Sequence, residues 1–323
     1  MAKCIGDTRL DIAAGTYLYA LAQNSSSFAT IGSDDSLRLF DGSLNLLHKV
    51  DSAHAGISRL ASFGPGFATA GRDAVVRLWD SRVKKVATDI AEPKGAQISA
   101  LACHESLIAI GTESTKEGLG DVSVLLYDTR NAATPLRSYV ESHTDSVTQL
   151  AFHTSQPNVL LSGSTDGLVS FFDLSQADEE DALQQVLNPR SAVHCAGFLS
   201  DKEVYVLTTD EHLSIYNLSE DTPGSALDFG DVRQSIGCTY VVDVINSARP
   251  PAIAFGHHER SLLGIAPLNE ESRWAFGSAV ELPGAHGEEI VRDLLLLHAE
   301  GKAVSCGEDG RVRAWDLAGA TAA

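Results

Sequence analysis

The 323-residue chain is short of basic residues and of cysteine, and each shortage excludes something. Lysine and arginine total 24 against 43 aspartates and glutamates, a formal net charge of -19. So acidic a chain repels phosphate backbones and anionic lipid, so neither nucleic acid nor an anionic membrane is a partner held by charge. The five cysteines are Cys4, Cys103, Cys195, Cys238 and Cys306. The number is odd, no two stand in a Cys-x-x-Cys spacing, and their flanks are apolar. This reads as small buried thiols in a reducing compartment rather than a disulfide framework. No apolar run approaches the roughly 20 residues a membrane helix needs. The amino-terminal stretch Met1 to Asp7 has no apolar core of a secretory leader. An intracellular protein, cytoplasmic or nuclear, is expected. There is no Gly-rich phosphate loop before a helix, no Gly-x-Ser-x-Gly elbow and no metal-spaced ligand set. No cofactor, no metal and no catalysis are therefore expected. His257-His258-Glu259 comes nearest to a ligand set, but neighbours along a strand point to opposite faces.

What the chain does have is a repeat. An aspartate followed six residues later by an aromatic occurs at Asp34/Phe40, Asp73/Trp79, Asp121/Tyr127, Asp166/Phe172, Asp210/Tyr216 and Asp309/Trp315. An Asp or Asn follows each aromatic directly. The aromatics lie 39, 48, 45, 44 and 99 residues apart, and the last gap is about two periods. Glu259 and Ile265 keep the same spacing inside it and mark an eroded sixth unit. A period of roughly 40–45 residues ending in Trp-Asp is the signature of a four-stranded β-propeller blade. Seven such units predict an all-β, seven-bladed β-propeller, one domain over residues 1–317 with a short tail at 318–323. Its 44% hydrophobic content supports a sizeable core.

Each unit reads as short alternating strands broken by turns. The seventh ends after its third strand, whereas residues of about 2–10 belong to no unit. An open sheet edge invites aggregation, so the amino-terminal strand is expected to pair with the third strand of the last unit and close the ring. Three insertions break the period: Glu113 to Gly120, Gln176 to Asp181 with the acidic run Asp178, Glu179, Glu180 and Asp181, and Asn246 to Pro251. Loops of this kind on a rigid scaffold are where binding usually sits.

These residues resemble the WD-repeat family. The resemblance implies a hydrogen-bonded tetrad of His, Ser or Thr, Asp and Trp within a blade, at His54, Thr69, Asp73 and Trp79 and at His286, Ser305, Asp309 and Trp315. His143, Ser162 and Asp166 match three positions, with Phe172 in place of the Trp. A His beside an Asp and a hydroxyl also has the composition of a catalytic triad. Here the set recurs at the structural period, and buried satisfied networks fix geometry. Glu141 to Leu150, Gln156 to Val159, Ser162 to Val169, Asp178 to Leu183, Gly111 to Glu113 and Leu126 to Arg130 are further similar to the family of WD repeat-containing protein 89. That resemblance implies an intracellular single propeller and no defined activity.

Two functions follow. The first is a monomeric, non-catalytic scaffold that holds a Lys/Arg-rich protein segment of the ribosomal-protein or histone type. Its candidate rim is the residue before each turn aspartate: Ser33, Arg72, Thr165, Thr209 and Glu308. The second is a substrate receptor of a cullin-RING ubiquitin ligase. Trp79 to Arg82 and, more weakly, Tyr127 to Arg130 resemble the WDxR box, and the resemblance implies that Arg82 and Arg130 touch the ligase adaptor.

Overall fold

Runs of four to seven residues rich in branched and aromatic side chains, each stopped by a turn, favour strands over helices. In the computed structural model they form 28 strands among the described residues. The structure describes residues 2–80, 85–116, 118–219, 224–246, 250–268, 274, 276–297 and 300–318. The strands make seven four-stranded antiparallel sheets, which follow the chain as the blades of a seven-bladed β-propeller. Among the described residues the α-helices are short, one turn or little more, at Glu179–Ala182 and Val232–Ile236. No helix among the described residues is long and apolar enough to cross a membrane.

The chain divides into two compact units, His54–Asp231 and Met1–Ala53 with Val232–Ala323. The first holds blades two to five. Its core is built from sheet faces that meet in sequence order. Ala68, Ala70, Val76 and Leu78 of blade two pack on Ile98, Ile108, Ile110 and Tyr127 of blade three. Ala109, Val124 and Leu126 of blade three meet Leu160 and Phe172 of blade four. Leu161, Val169 and Phe171 of blade four meet Val204, Val206 and Tyr216 of blade five. The repeated aromatics Tyr127, Phe172 and Tyr216 therefore each lie on the sheet before their own. Phe172 adds a parallel stack on Tyr139 of blade three, with ring centroids 4.5 Å apart.

A second device repeats at the blade junctions. The first strand of each blade carries a bulge, as between Ile57 and Arg59, Ile98 and Ala100, and Val147 and Gln149. A bulge leaves one residue out of the ladder and turns its side chain aside. In blades two, three and four that residue is Ser58, Ser99 or Thr148. Ser58 Oγ donates to Ile98 O of the next blade at 2.7 Å, Ser99 Oγ to Val147 O at 2.7 Å, and Thr148 Oγ1 to Val193 O at 2.8 Å. One hydroxyl per junction thus fastens a first strand to its neighbour.

The other unit holds blades one, six and seven. The amino-terminal strand Lys3–Thr8 pairs antiparallel with Val312–Asp316 and supplies the outer strand of blade seven, as the sequence predicts. Trp315 packs on blade six. Phe40 packs on blade seven, and Phe28 stacks on it at 5.4 Å. At the junction of blades seven and one a carboxylate replaces the hydroxyl: Asp293 Oδ2 accepts the Leu21 N–H at 2.7 Å. Blade six is complete, with strands Tyr240–Ile245, Ala252–His257, Leu262–Pro267 and Val280–Pro283.

One sequence reading is corrected here. Ile265 does not stand for the missing aromatic of blade six. It pairs with Ala254 and lies in the cluster with Trp315, on the face turned to blade seven. Phe40, Tyr127, Phe172, Tyr216 and Trp315 lie on the face turned to the blade before. The ladder of this hairpin runs up to His257 opposite Leu262. Counting six residues from Glu259 therefore reaches the wrong side of the strand.

The junction hydroxyls give a direct test. Ser58→Ala, Ser99→Ala and Thr148→Val should each lower unfolding free energy by about 1 kcal/mol, a typical net value for one hydrogen bond. Urea unfolding of the three single variants measures this; no loss in any of them would show the hydroxyls to be incidental. Deleting residues 2–9 should expose the Val312–Asp316 edge and produce concentration-dependent association in size-exclusion chromatography.

Candidate functional site: the turn aspartates and their partners

Each site begins as a tight turn between the second and third strands of a blade. In blade two Gly71 precedes the turn, and a Cβ there would lie 2.7 Å from both His54 Nδ1 and Asp73 Oδ1. The glycine therefore makes room for the imidazole. The turn residue after the aspartate takes a left-handed φ: Asp35, Ala74, Gly167, Glu211 and Gly310 all do so. The aspartate side chain is thereby aimed back into the blade.

What it meets is a chain of donors and acceptors. Trp79 Nε1 donates to Thr69 Oγ1 at 2.7 Å. Thr69 Oγ1 lies 2.7 Å from His54 Nε2, and His54 Nδ1 lies 2.8 Å from Asp73 Oδ1. Blade seven repeats it with Trp315 to Ser305 at 2.9 Å, Ser305 to His286 at 2.8 Å and His286 to Asp309 at 2.7 Å. In blade four His143 joins Ser162 at 2.7 Å and Asp166 at 3.0 Å, and Phe172 ends the chain because it has no donor. The order of roles assigns a neutral histidine: Nδ1–H donates to the carboxylate, Nε2 accepts the hydroxyl proton, and the hydroxyl oxygen accepts the indole N–H. Burial lowers the pKa of His54 and His286 in spite of the adjacent carboxylates, which agrees with that tautomer. Burial works against ionisation of Asp309, but His286 and Arg313 outweigh it and hold the acid down at about 2.

The sets are composed like triads but cannot work as such. Thr69, Ser162 and Ser305 are fully buried. In the two sets with a tryptophan the hydroxyl oxygen already accepts an indole proton. No carbonyl can reach it. The networks hold the connection between blades to the turn.

A fifth member of these sites goes unread in the sequence. Arg77 Nη1 donates to Asp73 Oδ2 at 2.7 Å, and Arg313 Nη1 to Asp309 Oδ2 at 2.8 Å. Blade one has no histidine, and its fully buried Arg38 does more. It grips both oxygens of Asp34, at 3.1 and 2.5 Å, and donates to Leu10 O at 2.9 Å. Although burial opposes ionisation of Asp34, Arg38 and Ser36 hold it at about 2. All three arginines share one register position, Arg38 opposite Thr30, Arg77 opposite Thr69 and Arg313 opposite Ser305. The signal was present as Asp-x-x-x-Arg.

The candidate rim residues occupy one backbone position. The N–H groups of Ser33, Arg72, Thr165, Thr209 and Glu308 donate to Tyr17, Gly56, Ser146, Ala192 and Ile290 carbonyls at 2.8–3.0 Å. Their side chains are partly engaged: Arg72 with Glu113 at 3.4 Å, Glu308 with Arg292 at 2.9 Å, and Thr165 with Ser146 O at 3.3 Å. The acidic run is not a loop. Asp178 caps the single helical turn Glu179–Ala182, accepting Glu180 N–H at 3.0 Å. Glu179 is committed to structure, accepting Val140 N–H at 2.6 Å and Glu141 N–H at 3.0 Å. That leaves Glu180 and Asp181 facing solvent. In the Glu113 to Gly120 insertion, Asp121 gathers the Ser114 hydroxyl at 2.6 Å and Thr115 N–H at 3.1 Å. Arg130 is largely exposed and folds back on Asp128, at 2.9 Å. Arg82 lies outside the described residues. Among the described residues no group of His, Cys, Asp and Glu could hold a metal.

Blades of this topology with turn-anchored tetrads define a WD-repeat β-propeller. A family model, the WD domain, G-beta repeat, matches residues 133–173. The chain is 36% identical over 298 residues to a WD repeat-containing protein of Saccharomyces cerevisiae, covering 88% of this chain and 74% of that one. It belongs to the WD repeat-containing family. It is 29% identical to a second member from Schizosaccharomyces pombe, over 93% of this chain and 95% of that protein. It is also similar to the WD repeat-containing protein 89 homolog of Dictyostelium discoideum, at 27% identity over 63% of this chain and 55% of that protein. A protein-interaction scaffold is the function that this class of fold supports.

The tetrads predict a pH dependence. Asp309 has a folded pKa of about 2 against 3.8, so its stabilisation is complete above about pH 4 and is lost as pH falls toward 2. His54 and His286 are held neutral below their usual 6.5, so folding also weakens as pH falls under that value. Asp309→Asn should melt lower than wild type at pH 7, and the gap should narrow between pH 4 and 2. Thermal scans across that range decide it; a gap that stays constant contradicts the assignment.

Proposed function

We propose that the chain is an acidic adaptor, or chaperone-like platform, that holds a Lys/Arg-rich protein segment of the ribosomal-protein or histone type. The observation that carries this reading is the charge surplus. If every lysine and arginine took one carboxylate, an excess of 19 acids would remain. Many basic groups are already spent inside the blades, as Arg38, Arg77 and Arg313 are. Asp293 is pushed up to about 7 by burial, but two turn acids stay charged. Asp121 sits at about 2 under the hydroxyls of Ser114 and Thr115, and Asp128 at about 2 beside Arg130. Complementary charge speeds encounter with a basic segment and disfavours acidic competitors. Of the rim positions, Ser33, Arg72 and Thr209 are exposed; Arg72 is engaged by Glu113, so Ser33 and Thr209 suit direct contact better.

The test is affinity capture of the full chain at low salt followed by a high-salt wash. The Debye length falls from about 10 Å at 0.1 M to about 3 Å at 1 M salt. Captured proteins should be rich in Lys/Arg segments and should elute in the wash. Clients without basic segments, or clients indifferent to salt, would falsify the reading. Glu180→Lys with Asp181→Lys should slow association with a basic client while leaving the melting temperature unchanged.

A further inference from the structure

Arg59 lies in the first strand of blade two, Ile57–Phe63, one place past the bulge. Blades three and four put Ala100 and Gln149 in that place, opposite Gly111 and Gly163 as Arg59 lies opposite Ala70. All three belong to the unit His54–Asp231. Arg59 ties two blades that are not neighbours in the chain. Its Nη1 donates to Ser58 O of its own blade at 3.0 Å, and Nη2 reaches Thr148 O of blade four at 3.5 Å.

Both acceptors are neutral carbonyls. Arg38, Arg77, Arg292 and Arg313 each hold a carboxylate, whereas Arg59 makes no ion pair among the described residues. The acid that acts on it is Glu113, which stands beyond ion-pair reach and is engaged by Arg72 at 3.4 Å. Burial lowers the pKa of Arg59 and Glu113 only partly offsets this, yet a guanidinium stays protonated. A cation withdrawn from water without a counter-charge is costly to the fold. In a chain with 43 acids against 24 bases, that cost marks a charge kept for something outside the chain. Arg59 is half-buried, so solvent still reaches it, and its Nε–H has no acceptor among the described residues. Gln149, next to Thr148 and also half-buried, has an amide whose one bond is long, Nε2 to Leu150 O at 3.4 Å.

We infer that Arg59, with the amide of Gln149 as a second donor, receives the carboxylate of an acidic side chain from a protein partner. Such a site is independent of the basic-client reading, because its charge is positive. A carboxylate is the matching guest: the planar fork of a guanidinium takes its two oxygens together, as Arg38 takes those of Asp34 in blade one. One guanidinium also balances one negative charge. A dianionic phosphate would bring a surplus charge toward Glu113, in a chain already at -19. The guest supplies the counter-charge that the chain itself withholds, so occupancy relieves the unpaired cation.

The test titrates the full chain with N-acetyl-glutamate methylamide and with its uncharged glutamine counterpart, at an ionic strength held constant with chloride. NMR shifts of the Arg59 Nε–H and the Gln149 side-chain amide report occupancy. The glutamate probe should bind saturably and the glutamine probe roughly tenfold more weakly, the discrimination expected of a charge-assisted pair. Inorganic phosphate should bind more weakly than the glutamate probe. Glu113→Gln should tighten the glutamate probe, because it removes the acid that competes for Arg59. Arg59→Met should abolish the preference for glutamate and leave the melting temperature unchanged or higher, since it removes a charge that nothing in the chain balances. Arg59→Lys keeps the charge but loses the fork; it should bind the glutamate probe severalfold more weakly, and it carries the test if Arg59→Met does not fold. Equal affinity for the two probes, tighter binding of phosphate, or a glutamate preference that survives Arg59→Met overturns the site. A lower melting temperature for Arg59→Met, with no saturable shift in wild type, makes Arg59 a strut between blades two and four instead.

Discussion

The turn carboxylate is the element to which the other features of a blade are tied. It stands where the chain reverses between the second and third strands. From there it reaches the connection arriving from the preceding blade. In blade two Asp73 joins Arg77 four residues on and His54 nineteen residues back. One carboxylate thus fixes a turn, a strand and an incoming loop, and its low pKa is the record of those contacts. Removing any one partner would leave a buried polar group unsatisfied, which costs more than the bond itself contributes.

Around that anchor the blades vary in a physically readable way. Blades two and seven use histidine, hydroxyl, indole and arginine together. Blade four keeps histidine and hydroxyl. Blade one replaces the histidine by a buried arginine that grips both carboxylate oxygens. Blade three, with Asp121 in a long exposed turn, satisfies it by the hydroxyls of Ser114 and Thr115. In blade five the hydroxyls of Thr208 and Ser191 are among the groups that hold Asp210, and a cavity lies beside it. Blade six abandons the arrangement and fills the face toward blade seven with Ala252, Ala254 and Ile265.

The chemistry available for partners comes from that unequal distribution. Arginines spent inside the blades are not at the surface to offset the acids. Each of those arginines is matched by a turn aspartate, so the internal pairs are neutral and the formal excess of 19 acids lies among the other residues. The acidic run Asp178–Asp181 shows why a count of charges is not a map of binding groups. Two of its four carboxylates hold the helical turn and the preceding connection, and two face solvent.

Spacing alone determined the number of blades and the strand that completes the last one, and the resemblance to the WD-repeat family supplied the membership of the tetrads. Asp73, Trp79, Asp309 and Trp315 are recognisable because a turn and a strand of constant length separate them. The arginines at 38, 77 and 313 were equally periodic, but their role shows only where they meet the aspartates. Ile265 illustrates the limit: a spacing of six was kept, yet the ladder of that hairpin placed the side chain on the other face. The junction hydroxyls, the commitment of Glu179 and the cavity beside Asp210 were decided by tertiary structure. Each depends on which strand lies beside which, and at what register. A sequence period records distance along the chain, whereas a cavity is defined by the side chains that surround it in space.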